Sequence, residues 1–149
     1  MEDIKKVAVV GAGIMGHGIS QVCAQAGYEV SMIEIEREAL QTALSKIKYN
    51  LETLVKNHVI TEGQAARALS RIKWTLDRSE AVRDADFIIE AIKEDMDLKK
   101  QVFKELDEEC PEHAIFATNT SRLASPSLQR KGKKSLLVCT GGIHLTLCL

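Results

Sequence analysis

The four cysteines of this 149-residue chain are not spaced for any shared task. Cys23, Cys110, Cys139 and Cys148 form no Cys-x-x-Cys pair and no metal-ligand spacing, so neither a cysteine-built metal site nor a redox dithiol is expected, and no metal is expected at all. Cys23 falls in a helical stretch and reads as a buried thiol. Charge of one sign is equally lacking. Twenty Lys and Arg against twenty-one Asp and Glu leave a net charge of −1, which argues against a polyanion-binding surface and a nucleic-acid partner. No apolar run approaches the length that spans a bilayer. Met1-Glu2-Asp3-Ile4-Lys5-Lys6 has no signal-peptide pattern and runs straight into an apolar segment. The expected location is cytoplasmic, or an organelle matrix after processing. No internal repeat is visible.

The length suffices for one domain with a real core. Val7-Ala8-Val9-Val10 reads as a buried strand, followed at once by Gly11-Ala12-Gly13-Ile14-Met15-Gly16 and then by the helical composition of Gly18 to Ala26. This is Gly-x-Gly-x-x-Gly between a strand and a helix, a device for holding a pyrophosphate. Gly11 permits the tight turn, Gly13 lets phosphates approach the backbone, and Gly16 lets the helix lie close on the strand. The helix N-terminus, with its free N–H groups, faces the anion. The motif also requires an acid about 20 residues on. Gly27 ends the helix, Tyr28 to Ile33 reads as a second strand, and Glu34 stands at its C-terminal end. A carboxylate there accepts from ribose hydroxyls and repels a 2′-phosphate, so NAD rather than NADP is expected.

Beyond Glu34 the pattern becomes helical. Leu40, Ala43, Leu44, Ile47, Leu51, Leu54 and Val55 recur at helical steps, and Asn57-His58 breaks the run. Thr61-Glu62-Gly63-Gln64 resembles a capping box that opens a second helix with Ala65, Ala68, Leu69 and Ile72 inward. A helical hairpin over about 37–72 thus replaces a single crossover helix. Its outer side carries Lys46, Lys48, Lys56, Arg67 and Arg71, mostly solvated faces. Trp74-Thr75-Leu76, Asp86 to Ala91 and Ala114 to Ala117 read as strands, Asp77 to Arg83 as a turn or short helix, and Leu98 to Leu106 as an amphipathic helix stopped by Cys110-Pro111. Alternating strands and helices predict an α/β fold with a Rossmann-type, doubly wound, mainly parallel sheet. Its ligands bind beyond the strands' C-terminal ends, where Gly11, Glu34, the segment after Glu90 and Asn119 to Ser121 converge.

These residues resemble the NAD-binding domain of the 3-hydroxyacyl-CoA dehydrogenase family, which includes bacterial 3-hydroxybutyryl-CoA dehydrogenases. The resemblance runs from about Lys6 to Ser121. It is carried by Val9 to Ile19, Ala24 to Tyr28, Ala85 to Ala91, Leu98 to Phe103 and Thr118-Asn119-Thr120-Ser121. It implies hydride transfer between NAD and the 3-hydroxyl or 3-oxo carbon of a short acyl-CoA. It places Gly11, Ala12, Gly13, Ile14, Met15 and Gly16 on the pyrophosphate and Glu34 on the adenosine ribose. Glu94 and Lys99 match positions near the nicotinamide-side ribose and phosphates. Ser121 matches a hydroxyl that hydrogen-bonds the reacting oxygen, Asn119 shapes its loop, and Lys56 matches a CoA phosphate contact. Lys93 departs from the apolar residue or Pro that usually precedes the acid matched by Glu94. The helical hairpin helps hold the CoA nucleotide in this family.

After Ser121 the chain stops resembling the family. The family continues with Ser-Leu-Ser-Ile-Thr-Glu, a strand ending in Gly-x-His with the catalytic base, and a helical C-terminal domain that makes the dimer. Here Arg122 to Lys134 reads differently. Codon junctions from Ser121/Arg122 permit Ser-Leu-Ser-Ile-Thr-Glu-Leu-Ala, and those from Ser135/Leu136 permit Phe-Ile-Gly-Met-His-Trp-Trp-Asn-Pro-Pro-His. The expectation is an NAD-binding domain over 1–121 and an out-of-frame tail over 122–149, with the base His, its partner Glu, the C-terminal helical domain and the homodimer contacts missing. His144 lacks a following Asn-Pro and is not taken as the base. His17, His58 and His113 read as surface or locally bonded. On this reading the chain holds NAD and is inactive alone. The alternative is a non-catalytic NAD-binding module.

Overall fold

The computed structural model describes residues 4–118 in full, together with the backbone of 135–139 and 144–146. Strand β1 (Lys6–Val10) leads through the glycine turn into α1 (Ile14–Gln25), and β2 (Glu29–Ile33) into α2 (Arg37–Lys56) and α3 (Glu62–Ser70). Then follow β3 (Ile72–Thr75), α4 (Arg78–Val82), β4 (Phe87–Glu90), α5 (Met96–Glu109), β5 (Ile115–Thr118), β6 (Ser135–Cys139) and β7 (His144–Thr146). One sheet runs β3-β2-β1-β4-β5-β6-β7. β7 is antiparallel to β6, and every other pairing is parallel. The expected doubly wound architecture is present.

The central strands are apolar on both faces because helices cover both faces. On one side Val7, Val9, Val30 and Met32 pack against Ala24 of α1, Leu40, Ala43, Ile47 and Leu51 of α2, and Ala65 and Ala68 of α3. On the other, Ala8, Val10, Ile33 and Ile88 meet Val82, Phe103 and Leu106, and Phe103 stands edge-on to Phe116 at 5.7 Å. Cys23 is half-buried against the first cluster, and burial pushes its thiol pKa up.

Helix ends follow from local chemistry. Past α1, Gly27 sits at φ +104°; its N–H donates to Ala24 O and that of Tyr28 to Cys23 O. This is the glycine-terminated motif that satisfies the last carbonyls of a helix. His58, at φ +57°, closes α2 the same way, with its N–H on Val55 O and that of Val59 on Leu54 O. The Thr61 capping box forms in both directions, Gln64 N to Thr61 Oγ1 at 3.1 Å and Thr61 N to Gln64 Oε1 at 2.8 Å.

Two boundaries differ from expectation. Ile72 is the first residue of β3, paired with Val30, and not the last inward residue of the hairpin. α3 already ends at Ser70, and a β-branched side chain beside Val30 gains more from the sheet than from another helical turn. β3 consequently covers Ile72–Thr75 instead of 74–76, which leaves Leu76 in the loop beyond it. α1 begins at Ile14, so Gly16 lies in its first turn.

Candidate cofactor site at the carboxyl edge of the sheet

Parallel pairing delivers the ends of β1, β2, β4 and β5 to one edge. The chain leaves β1 toward β2 on one side, while β4 adjoins β1 on the other. Such a reversal opens a crevice above the sheet. The three glycines of the turn have different reasons to be glycine. Gly11 has φ +108°, and a Cβ on it would stand 2.6 Å from Ala91 O. A Cβ on Gly16 would fall 1.8 Å from Gly11 O, so the helix can reach the strand only without a side chain there. Gly13 has φ −69°, and a Cβ there would meet no atom of the described residues beyond its chain neighbours within 4 Å. The fold requires glycine at the first and third positions and leaves the second free. Gly13 caps α1 with no side-chain hydrogen bond, and the first turn carries no acid. The N–H groups there are open to an anion, with the helix dipole behind them.

Glu34 follows β2 directly. Its Oε2 accepts from Ala12 N at 3.0 Å and its Oε1 from Ile35 N at 2.8 Å. The acid is thereby fixed against the turn that precedes α1. Both belong to a cleft of about 420 Å³, lined also by Ile35, Leu76, Arg78, Ile92, Leu98 and Val102. These residues fit the pyrophosphate and adenosine half of a dinucleotide: an anion cradle, a fixed carboxylate for hydroxyl groups, and a largely apolar recess beyond it.

Lys99 and Glu94 are brought together, at 3.3 Å. Lys99 is nevertheless buried, 1% exposed, with its Nζ also 3.4 Å from a Glu90 carboxylate that is itself 1% exposed. Glu90 accepts from Thr118 Oγ1 at 2.5 Å and from Ile92 N at 2.7 Å. Lys99 therefore ties α5 to the ends of β4 and β5, with Glu94, 56% exposed, at the cluster's outer side. Sequence reasoning missed Glu90 and Thr118. The available signal was a carboxylate closing an otherwise apolar strand, which is tolerated inside only when paired.

Arg78 was missed as well. Its Nε and Nη2 engage Glu109 at 2.9 and 3.0 Å, and its Nη1 engages Glu105 at 2.5 Å. The hydrogen bonds to Glu109, then the one to Glu105, raise its pKa further above its ordinary value. Glu105 is held low by Gln101 and Arg78, and Glu109 by Arg78. Lys56 is exposed at the C-terminus of α2, away from the cleft lining. Asn119 and Ser121 lie outside the described residues. His17 Nδ1 donates to Gly13 O at 2.7 Å, and His113 Nε2 lies 3.0 Å from Asp86 Oδ1. Both are locally bonded, as expected. Among the described residues no His, Cys, Asp and Glu cluster could hold a metal.

Residues 6–144 match the family model for the 3-hydroxyacyl-CoA dehydrogenase NAD-binding domain. The chain belongs to the 3-hydroxyacyl-CoA dehydrogenase family. Its cofactor is NAD. The match runs through β6 to His144, the first residue of β7, so the resemblance does not stop at Ser121 as expected. A probable 3-hydroxybutyryl-CoA dehydrogenase of Bacillus subtilis is 40% identical over 121 residues, covering 81% of this chain and 42% of that protein. The peroxisomal fatty acid beta-oxidation multifunctional protein MFP2 of Arabidopsis thaliana is 37% identical over 120 residues, 80% of this chain and 16% of that one. The crystal structure of an (S)-3-hydroxybutyryl-CoA dehydrogenase from Ralstonia eutropha superposes with a TM-score of 0.85 at 34% identity, over 92% of this chain and 49% of that one. The chain therefore spans half or less of the length of these family members.

Proposed function

We propose that this chain is the NAD-binding part of an NAD-dependent 3-hydroxyacyl-CoA dehydrogenase acting on short acyl-CoA substrates such as 3-hydroxybutyryl-CoA. The observation that carries the reading is Gly13: nothing among the described residues needs a glycine there, whereas a pyrophosphate lying on the backbone does. Bound NAD supplies the hydride chemistry. The chain's own residues bind and orient. Gly11 to Gly16 cradle the pyrophosphate with the α1 N-terminus, and Glu34, its carboxylate held by Ala12 N and Ile35 N, accepts from the adenosine ribose. Glu94 meets the nicotinamide-side ribose. The buried Lys99 is a positioning residue that holds Glu94 by an ion pair. Ser121 is assigned as the hydroxyl donor to the reacting oxygen, with Asn119 shaping its loop, and Lys56 as a CoA phosphate contact. In this reading the family's domain sequence runs over 1–121, and 122–149, although it adds β6 and β7 to the edge of the sheet, is an out-of-frame tail; the coding DNA tests this, since codons unable to spell the alternative peptide would refute it.

The geometry supports binding more fully than turnover, because none of the described His residues stands at the cleft with a carboxylate partner. We therefore expect NAD binding without appreciable acetoacetyl-CoA-dependent NADH oxidation by the 149-residue chain. Turnover near that of a full-length relative would contradict this. Binding without turnover is also what a non-catalytic NAD module would give. Complementation separates the two: an added segment of a full-length relative that carries both the Gly-x-His strand and the C-terminal domain restores oxidation only in the dehydrogenase reading. Dimer contacts, in this reading, belong to that second domain. No helix among the described residues is long and apolar enough to cross a membrane, and the proposed location is the cytoplasm.

A further inference from the structure

We propose that Arg78, clamped by Glu105 and Glu109, is a specificity-determining residue for the adenosine half of the cofactor: it lends the cleft a flat cationic platform while its charge is withheld from a 2′-phosphate. The inference rests on the NAD reading above. A base attached to a ribose at Glu34 has an apolar recess beside it, the cleft lined by Ile35, Leu76, Arg78, Leu98 and Val102. Arg78 is the cation on the β3 side of that recess. All three guanidinium nitrogens are engaged by carboxylates from successive turns of α5. Glu109 takes it in the two-pronged geometry that an arginine would otherwise offer to a phosphate. What an edge-bound guanidinium still presents is its face, which suits a planar heteroaromatic ring.

Charge points the same way. Arg78 with Glu105 and Glu109 sums to −1, and Glu34 and Glu36 line the same cleft. Lys93, the other cation of the lining, comes from the β4 side. A 2′-phosphate would meet one fixed carboxylate at Glu34 and an arginine already neutralised. The low pKa values of Glu105 and Glu109 keep the clamp ionised at neutral pH. Exclusion of NADP is then shared between repulsion at Glu34 and sequestration at Arg78.

Calorimetric titration of the 149-residue chain with NAD and NADP tests this. Glu105→Gln with Glu109→Gln should raise the NADP-to-NAD affinity ratio about tenfold, the size of one released charge-assisted hydrogen bond. Adding Arg78→Met to that pair should abolish the gain, because the liberated cation is its source. If the double variant does not fold, Glu109→Gln alone should shift the ratio in the same direction. An unchanged ratio in a folded clamp variant would overturn the inference while leaving NAD binding intact. So would a gain that persists without Arg78. A parent chain that binds neither nucleotide would overturn the NAD reading itself, and this inference with it.

Discussion

Lys99 is the residue whose surroundings change its meaning most. In sequence it is one of several charges on an amphipathic helix; in the fold it is sealed between Glu90 and Glu94. Removing one partner of a buried ion pair strands the other charge, at a cost of about 3–5 kcal/mol. Lys99→Met should therefore destabilise the domain by about that amount in urea unfolding. Lys99→Met combined with Glu90→Gln should recover part of it, because no buried charge is then left alone. Strictly additive losses would show that the two do not interact. Glu34, by contrast, was legible without coordinates: its distance from the glycine turn and its place at a strand's end are one-dimensional facts. Burial of Lys99 and clamping of Arg78 arise between α5 and segments about 10 to 30 residues away, and no periodicity records them.

Among the elements, α3 was legible at its start and not at its end. Thr61 and Gln64 declare a capping box by type and spacing, and both hydrogen bonds form. Thr61→Ala should cost about 1 kcal/mol, measured as a lower midpoint of thermal or urea unfolding; no change would mean the hairpin turn holds without its cap. The end is set instead by β2, whose Val30 pairs with Ile72; a helical spacing of apolar residues could not reveal that competition. The join between α4 and α5 has a pH signature. Glu105 and Glu109 titrate below their ordinary value of 4.5 when folded. A carboxylate with a depressed folded pKa contributes stability above its unfolded pKa and loses it as pH falls through the folded one. Acidification below about pH 4.5 should therefore lower the melting temperature of the parent more steeply than that of Arg78→Met. Parallel curves would mean that the clamp contributes nothing to folding. Asp86 belongs to the same class. Burial alone would raise its pKa, but the N–H groups of Lys5 and Lys6 and the His113 ring hold it low.

For the whole molecule, the parallel, doubly wound character of the sheet was legible from the alternation of strands and helices, whereas the order β3-β2-β1-β4-β5 and the addition of β6 and β7 at its edge were not. That order gathers Gly11, Glu34, Glu90 and Thr118, far apart in the chain, at one edge. It also separates glycines the fold needs from the one it does not, a distinction hidden in the motif Gly-x-Gly-x-x-Gly itself. Ligand linkage adds a global readout: NAD at a hundred times its dissociation constant should stabilise the domain by about 2.7 kcal/mol, seen as a higher melting temperature. The most direct test replaces Gly13 by Val, whose Cβ meets no atom of the described residues outside its own turn within 4 Å. Calorimetric titration should show one NAD per parent chain and no measurable binding to the variant, with both unfolding at the same denaturant concentration within about 1 kcal/mol. A folded Gly13→Val variant that binds NAD as tightly as the parent would contradict the account.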